Sequence, residues 1–266
     1  MTQAAWHSKG GHSASLKTLL LRRDSPAYDA WVALLERAPG ILTDEGTVAM
    51  APRRLFPGRR LAGTLASVTD ASGDDGVGGF AWLAGAPRRV FVFSEPWPEA
   101  ARLALAAAAD EDEAELRRQG DASAAPHLSV PAAELFGSIL LPTMVRREEM
   151  VQRAYSVSDA GAAVHALNSL RSGNGQMASL LQGARALSAA LLGVHVLRTS
   201  NQDADRLSHP ELAASVIAEA TAAGFEVTRL RPRASDWAHL QLAIDISCAG
   251  PGRAKRSRSR PTSTPD

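Results

Sequence analysis

The chain has 266 residues, enough for one large domain or for a domain with appendages. Hydrophobic residues make up 45% and charged residues 21%, as is ordinary for a globular protein, and the net charge of +1 gives no overall field that would indicate a nucleic-acid partner. A single cysteine excludes an intramolecular disulfide and a cysteine-based zinc cluster. This composition fits an intracellular protein, in the nucleus or the cytoplasm.

The first 60 residues are predicted to form a helical leader or linker. "SPAYDAWVALLERAPG" carries Ser25 as a candidate N-cap, Pro26 at the first helical position and Gly40 just past the end. "APRRLFPGRR" then indicates a boundary or a surface loop. The apolar stretches of the chain are too short and too interrupted to span a bilayer, and the N-terminus lacks a signal-peptide pattern. We therefore expect no membrane partner.

Three short apolar runs follow from about residue 61, "LAGTLASVTDA", "GVGGFAWLAG" and "RRVFVFSEPW". The spacers between them, "SGDDG" and "APR", are typical of turns between consecutive antiparallel strands. The Ala-rich segment "PEAARLALAAAADEDEAELRRQ" then predicts a helix.

Helices and strands alternate in the second half. "SVPAAELFGSILLPTMV" predicts a helix with Ser129 as its cap, Pro131 in its first turn and Pro142 ending or kinking it. Further strands are predicted in "VQRAYSVSD", "VHVLRTS" and "FEVTRLRP", with helices between them. This order predicts an α/β fold with an antiparallel hairpin portion. The domain is expected to span residues 61–235, followed by an extension over 236–266 with a disordered basic tail from about 249.

Four acidic residues stand where this order would place functional groups. Asp70 lies on the first strand, before "SGDDG", and Glu134 is expected in the first turn of its helix. Asp159 ends the "AYSVSD" strand, and Asp205 lies in "SNQDADRLSHP" before the last helix. Carboxylates that converge in a low-dielectric cleft repel each other, and hard divalent cations such as Mg²⁺ or Mn²⁺ remove that repulsion. Two such ions about 4 Å apart promote in-line phosphoryl displacement.

The same segments resemble the ribonuclease H domain of retroelement polyproteins. "SVTDASGDDGVGGFAW" is similar to its first strand and hairpin, with the pattern T/S-D-A-S and then G-x-G-[GA], and "PAAELFGSILLPTMV" resembles its E-L helix. "YSVSDAGAAVHALNSLRSGNG" is similar to the strand that ends in Asp and leads into an A-V-x-x-L/I-N helix. "VHVLRTSNQDADRLSHPE" resembles the closing signature N-x-x-A-D-x-L-S-R. The resemblance covers roughly residues 61–211 and is closest to the reverse-transcriptase-associated form in tyrosine-recombinase and gypsy-like elements.

The resemblance implies a ribonuclease H-like mixed sheet and an endonuclease that cuts the RNA strand of RNA–DNA hybrids. It implies Mg²⁺ or Mn²⁺ as the cofactor, with Asp70, Glu134, Asp159 and Asp205 as the catalytic, metal-binding carboxylates. The chain departs from the family at Ala160, where Asn is usual, and at His209, where the signature has Arg. It contains no Y-x-D-D polymerase motif.

Each acid also has a simpler interpretation. Asp70 could cap the turn, Glu134 could favour the helix dipole, Asp159 could cap the next helix and Asp205 could be a surface acid, with Asp203 as its rival in "QDAD". The alternative function is therefore a catalytically lapsed fold that binds nucleic acid or serves in assembly. A third alternative is an Ala-rich structural protein without a site.

Basic segments provide candidate phosphate contacts for a nucleic acid. They are "PRRLFPGRR" before the first strand, "VRREE" after the Glu134 helix, "RLRPR" near the end and "RAKRSRSR" in the tail. Ordinary solvated surface explains any one of them equally well, and the tail also fits a nuclear-import signal.

Overall fold

The structure is a computed structural model and describes residues 63–83, 86–119, 121, 124–184, 191–195, 198 and 201–248. The predicted leader over 1–60 and the predicted tail from about 249 lie outside the described residues. The strands of the described part are β1 (Thr64–Ala71), β2 (Gly76–Leu83), β3 (Ala86–Pro96), β4 (Arg153–Ser158), β5 (Leu191–His195) and β6 (Glu226–Arg229). Its helices are α1 (Glu99–Ala109), α2 (Glu111–Gln119), α3 (Val130–Glu148), α4 (Gly161–Ser169), α5 (Gly175–Gly183), α6 (Gln202–Ser208), α7 (Ala213–Ala222) and α8 (Ala234–Cys248).

The six strands form one mixed sheet in the order β5-β4-β1-β2-β3-β6. β1, β2 and β3 pair antiparallel, as their short connections predict. β4 lies parallel to β1, β5 lies parallel to β4, and β6 lies parallel to β3. The predicted α/β class, with an antiparallel hairpin portion and parallel strands flanked by helices, is confirmed. The arrangement is consistent with a ribonuclease H-like fold.

Side chains alternate along the strands and form one apolar core on each face of the sheet. On one face, Leu65 and Phe91 pack in a cluster with residues of α1, α3, α4, α5 and α8. On the other face, Val68 and Phe80 pack with α6 and α7. The helices of the described residues include none long and apolar enough to cross a membrane.

Helix α3 continues through Pro142 to Glu148, so of the two predicted effects of Pro142, ending or kinking the helix, the first is wrong. Proline has no N–H, which leaves the carbonyl of Ser138, four residues earlier, without its helical donor. The hydroxyl of Ser156 on β4 donates to that carbonyl at 3.2 Å. A side chain of the neighbouring strand therefore satisfies the group that proline would otherwise leave unpaired.

The Ala-rich segment forms two helices, where the sequence predicted one. Asp110 has an extended backbone and ends α1. Its Oδ1 accepts hydrogen bonds from the backbone N–H groups of Asp112 (2.9 Å) and Glu113 (3.0 Å), as an N-cap residue does. The break arises because the capping hydrogen bonds of Asp110 compete with continuation of the helix.

Helix α8 packs onto the body of the domain. Leu240, Ala243 and Ile244 belong to the core on the α3 side of the sheet. Arg147 of α3 forms an ion pair with Asp236, with 2.8 Å between Nη1 and Oδ2, and the Asp236 side chain is 5% exposed. Much of the segment predicted as an extension after residue 235 thus belongs to the same core.

Candidate metal centre

The candidate site lies at one edge of the sheet, where two neighbouring parallel strands end. Asp70 is the penultimate residue of β1, and Asp159 directly follows β4. β1 and β4 pair in parallel, with Val68 opposite Val157. The two carboxylates are therefore brought to the same edge by strand pairing alone, as is typical of functional groups in α/β sheets.

Glu134 reaches this edge from α3, which lies very close to the sheet. A Cβ atom at Gly137 would lie 2.9 Å from a Val77 methyl carbon, so the absence of a side chain there permits the close approach. The hydroxyl of Ser138 lies 3.2 Å from that of Thr69, the neighbour of Asp70. Glu134 is one helical turn before Ser138 and so stands over the end of β1. It lies in the second turn of α3; the predicted first-turn position, and with it the helix-dipole interpretation, is wrong.

Asp70, Glu134 and Asp159 form a compact cluster. One ligand oxygen from each can be chosen so that all three lie within 4.8 Å of one another. Asp70 is 8% exposed and Glu134 is 7% exposed, while Asp159 is partly buried. The backbone N–H of Ala71 donates to the Glu134 carboxylate. The Oε2 atom of Glu134 is nevertheless buried without a hydrogen-bond partner among the described residues. The sequence-predicted convergence is found for these three of the four acids.

Burial and mutual repulsion disfavour the charged forms of two of these acids. Burial is the main cause that raises the pKa of Asp70 to about 6, and the charge of Asp159 adds to it. Burial likewise raises the pKa of Glu134 to about 9, with further contributions from Asp70 and Asp159. A positive charge placed among the three carboxylates would remove this cost.

Asp205 lies beside the cluster and outside it. Its side chain is 44% exposed, and Oδ1 lies 3.9 Å from an Nη atom of Arg198. Its charge still raises the pKa of Asp70, so it is close enough to interact. Asp203, its rival in the sequence, pairs with Arg206 at 3.4 Å. Of the two, Asp205 is the acid whose charge is among the main influences on the pKa of Asp70.

Two residues of the site were not among the predicted ones, Asn201 and Ser208. Asn201 Nδ2 lies 3.3 Å from Asp70 Oδ1 and 3.1 Å from Asp159 Oδ1, and donates to both. Ser208 Oγ donates to Asp70 Oδ2 at 3.1 Å. Both residues stand in the N-x-x-A-D-x-L-S pattern, which was therefore the available signal. Only the carboxylate of that pattern was interpreted as functional.

The simpler role considered for Asp159, capping of helix α4, is not found. The N-cap residue is Ala160, and no side chain caps α4 there. The N–H of Ala160 bonds instead to Ser158 Oγ at 3.0 Å. The Asp159 carbonyl lies 2.8 Å from His195 Nε2 at the end of β5. The carboxylate of Asp159 is thus left for the cluster, while its backbone is held by the neighbouring strand.

An open groove of about 800 Å³ begins one helical turn from the cluster. Pro131 lines it three residues before Glu134, and Ala162 lines it three residues after Asp159. Its wall also carries polar and basic side chains: His165, Asn168, Ser169, Arg171, Ser172 and Asn174. The groove is open. Apolar surface predominates in its lining, and these side chains add hydrogen-bonding groups and one guanidinium along its wall.

A second, more exposed group of possible ligands lies at the β1–β2 turn. His209 Nδ1 is 2.6 Å from Asp75 Oδ2 and 3.9 Å from Glu211 Oε1. The short contact ties the end of α6 to the turn. His209, which stands where the resembled signature has Arg, therefore has a structural partner.

The residues of the buried cluster fit a divalent cation. Three carboxylates supply hard oxygen ligands, and the unpartnered Oε2 of Glu134 is an acceptor without a donor in the described residues. Comparison of the chain with protein-family models, with curated proteins and with solved structures found no match.

Proposed function

We propose that this chain is a metal-dependent endonuclease of the ribonuclease H type, retroelement-derived, that hydrolyses the RNA strand of RNA–DNA hybrids. The observation that carries the proposal is the convergence of Asp70, Glu134 and Asp159 at one sheet edge, with Glu134 Oε2 buried and unpartnered. Structural ion pairs do not explain this cluster, since three acids meet and the nearby arginine, Arg198, has an 85% exposed side chain.

Asp70, Glu134 and Asp159 would hold Mg²⁺ or Mn²⁺, with Asp205 at the rim. A divalent cation bound there would neutralise the carboxylates and lower the pKa of a bound water, which supplies a nucleophile for phosphodiester hydrolysis. The chain itself holds the ligands in place. Asn201 and Ser208 donate hydrogen bonds to Asp70, and Asn201 also donates to Asp159.

Positive and polar groups around the cluster support a phosphodiester substrate. The positive charge of Arg198 lowers the pKa of Asp70 and of Glu134, so it interacts electrostatically with the site. The adjoining groove carries Arg171, which is exposed, and several amide and hydroxyl side chains. Such groups bind the sugar–phosphate backbone without reading its sequence. The preference for an RNA–DNA hybrid rests on the sequence resemblance.

One observation favours the second candidate, a lapsed fold that binds nucleic acid without cutting it. Asp205, which the resemblance makes a metal ligand, lies outside the compact cluster and next to Arg198. A site with three converging carboxylates can hold one cation, whereas in-line displacement through two cations needs further ligands.

The test is cleavage of labelled RNA–DNA hybrid by the purified protein, with Mg²⁺ and with EDTA. Asp70→Asn is expected to lose Mg²⁺-dependent cutting of the RNA strand. Asp74→Asn, an exposed acid in the adjacent turn, is the matched control and should cut normally. Duplex DNA and duplex RNA of the same sequence test the preference for the hybrid.

Each outcome separates the candidates. Cutting that is lost in Asp70→Asn and kept in Asp74→Asn supports the nuclease. Hybrid that is bound and left intact by the wild type supports the lapsed binding module. A wild type that neither cuts nor binds any of these duplexes contradicts both candidates.

A further inference from the structure

Asn201 occupies the N-cap position of α6, yet its side chain does not cap the helix. Asn at this position ordinarily accepts a hydrogen bond from a backbone N–H of the first turn. Here the amide is turned towards the carboxylates, and the residue is 1% exposed. The side chain thus forgoes the usual stabilisation of its own helix.

The amide nitrogen of Asn201 lies between the two acids that come from neighbouring strands. It is 3.3 Å from Asp70 Oδ1, 3.1 Å from Asp159 Oδ1 and 3.3 Å from the carbonyl oxygen of Thr69. Two N–H groups serve three acceptors, all at the end of β1 or directly after β4. A neutral donor in this place draws two like charges together without adding a charge of its own.

The amide oxygen of Asn201 makes no hydrogen bond with the described residues, unlike the amide nitrogen. Asn201 Oδ1 is buried and has no hydrogen-bond partner among the described residues. Leaving a buried acceptor unpaired is destabilising. The residue therefore retains an unfavourable oxygen in order to present its nitrogen to Asp70 and Asp159.

We propose that Asn201 is a positioning residue, which orients the Asp70 and Asp159 carboxylates as a pair of cation ligands before the cation binds. This inference rests on the proposed function, because it assigns Asn201 a role at the same site. The Asn201 amide would hold the two ligands in position, which is a common role of groups hydrogen-bonded to metal ligands.

The inference is tested by Mn²⁺ binding, measured by calorimetry, and by thermal unfolding with EDTA and with Mn²⁺. Asn201→Ala should weaken Mn²⁺ binding about tenfold, as is typical when the support of a metal ligand is lost. Asn201→Asp has the same shape and replaces the donor with a carboxylate. It should unfold at a lower temperature than wild type in EDTA. Mn²⁺ should raise its unfolding temperature by more than it raises that of wild type.

Gln176→Ala is the matched control. The buried Gln176 side chain accepts a hydrogen bond from the backbone N–H of Ser129 at 3.0 Å and donates to the carbonyl of His127, and it makes no hydrogen bond to the carboxylates. This variant should unfold at a lower temperature in EDTA and should bind Mn²⁺ within twofold of wild type. It measures the effect of losing a buried structural amide.

The outcomes are distinct. Wild-type Mn²⁺ affinity in Asn201→Ala overturns the inference and leaves the proposed function standing. An equal loss of affinity in Asn201→Ala and Gln176→Ala also overturns it, because the effect is then one of general destabilisation. If the wild type itself binds no Mn²⁺, the proposed function is wrong and the inference falls with it.

Discussion

Gly78 on β2 pairs directly with Asp70 on β1, and the backbone of α6 lies against this glycine. A Cβ atom at Gly78 would lie 1.9 Å from the carbonyl oxygen of Leu207 and 2.7 Å from the nitrogen of Ser208. The glycine therefore allows α6 to sit on the sheet beside Asp70. This contact brings Ser208 within hydrogen-bond distance of the carboxylate.

Gly78→Ala is expected to destabilise the protein by about 3 kcal/mol or more, because the clash is with backbone and cannot be relieved by a rotamer change. Chemical denaturation measures the loss. Gly73→Ala is the matched control, since a Cβ there meets nothing within 4 Å, and it should be neutral. Equal stability of the two variants would contradict the close packing of α6.

The stability of the metal-free protein should fall as the pH rises. The folded-state pKa values of Asp70 and Glu134, about 6 and about 9, exceed the ordinary values of 3.8 and 4.5. A carboxyl with a raised pKa holds its proton more tightly when folded. Its stabilising contribution is complete below the ordinary pKa and is lost as the pH rises through the folded-state pKa. We expect the unfolding temperature in EDTA to fall from pH 5 to pH 9.

Glu134→Gln should flatten this pH dependence and raise the unfolding temperature at pH 8 in EDTA. For a domain of this size each kcal/mol corresponds to about 2–4 °C. Glu148→Gln, an exposed acid on the same helix, should leave the wild-type dependence unchanged. If the unfolding temperature of Glu134→Gln falls with pH as steeply as that of wild type, the pKa of Glu134 is not raised.

Asp205 should contribute less to cation binding than Asp70, because it lies outside the compact cluster with a 44% exposed side chain. Asp70→Asn is expected to abolish Mn²⁺ binding. Asp205→Asn is expected to weaken it less than about threefold, since an exposed charge near the site is screened by solvent. Calorimetric titration of both variants decides the matter, and equal losses would place Asp205 among the principal ligands.

Arg171 in the groove should contribute to binding of a nucleic-acid backbone. Arg171→Ala is expected to weaken hybrid binding and to lower the salt dependence by the equivalent of about one phosphate contact. Fluorescence anisotropy at several salt concentrations measures both. Arg118→Ala, an exposed arginine on α2 that forms an ion pair with Glu115, is the control and should bind as wild type does. Identical salt dependences of hybrid binding for Arg171→Ala and wild type would exclude the groove as the site that binds the nucleic-acid backbone.

Helix α8 should be required for folding of the domain. A chain ending at residue 233 loses Leu240 and Ile244, whose burial stabilises by about 1.5–3 kcal/mol each, and leaves Arg147 without Asp236. We expect this chain to lose cooperative thermal unfolding, measured by circular dichroism. A chain ending at residue 248 should unfold as the full chain does. Cooperative unfolding of the shorter chain would make α8 a separable extension.

The strands were predictable from local pattern, and the exact helix boundaries were less so. Apolar runs bounded by turn residues marked a segment at or near each of the six strands. The fifth was displaced: β5 (Leu191–His195) overlaps the predicted "VHVLRTS" only at Val194 and His195. The helix through Pro142 was not predictable, since it depends on Ser156 of a strand that follows in sequence. The break at Asp110 depends on a competition between capping and helix continuation, which composition alone does not resolve.

The candidate site divides in the same way. Asp70 and Asp159 were found because each stands at a strand end, and Glu134 because its segment resembles a known pattern. Asn201 was missed because nothing in its own sequence context says that its amide leaves the helix end. Its role depends on atoms of residues more than 40 positions away along the chain.

The sequence by itself indicated the α/β class, the approximate places of the strands and of most helices, and which acids stand at strand ends, because these follow from short-range periodicity and turn chemistry. It did not predict α6 or α8 as helices. Only the tertiary structure decided that Asp70, Glu134 and Asp159 meet within 4.8 Å, that Asp205 remains at the rim and that Asn201 holds two of the acids together. Those relationships depend on strand pairing and on the close packing of α3 and α6 at glycines. Such long-range contacts have no local signature in the chain.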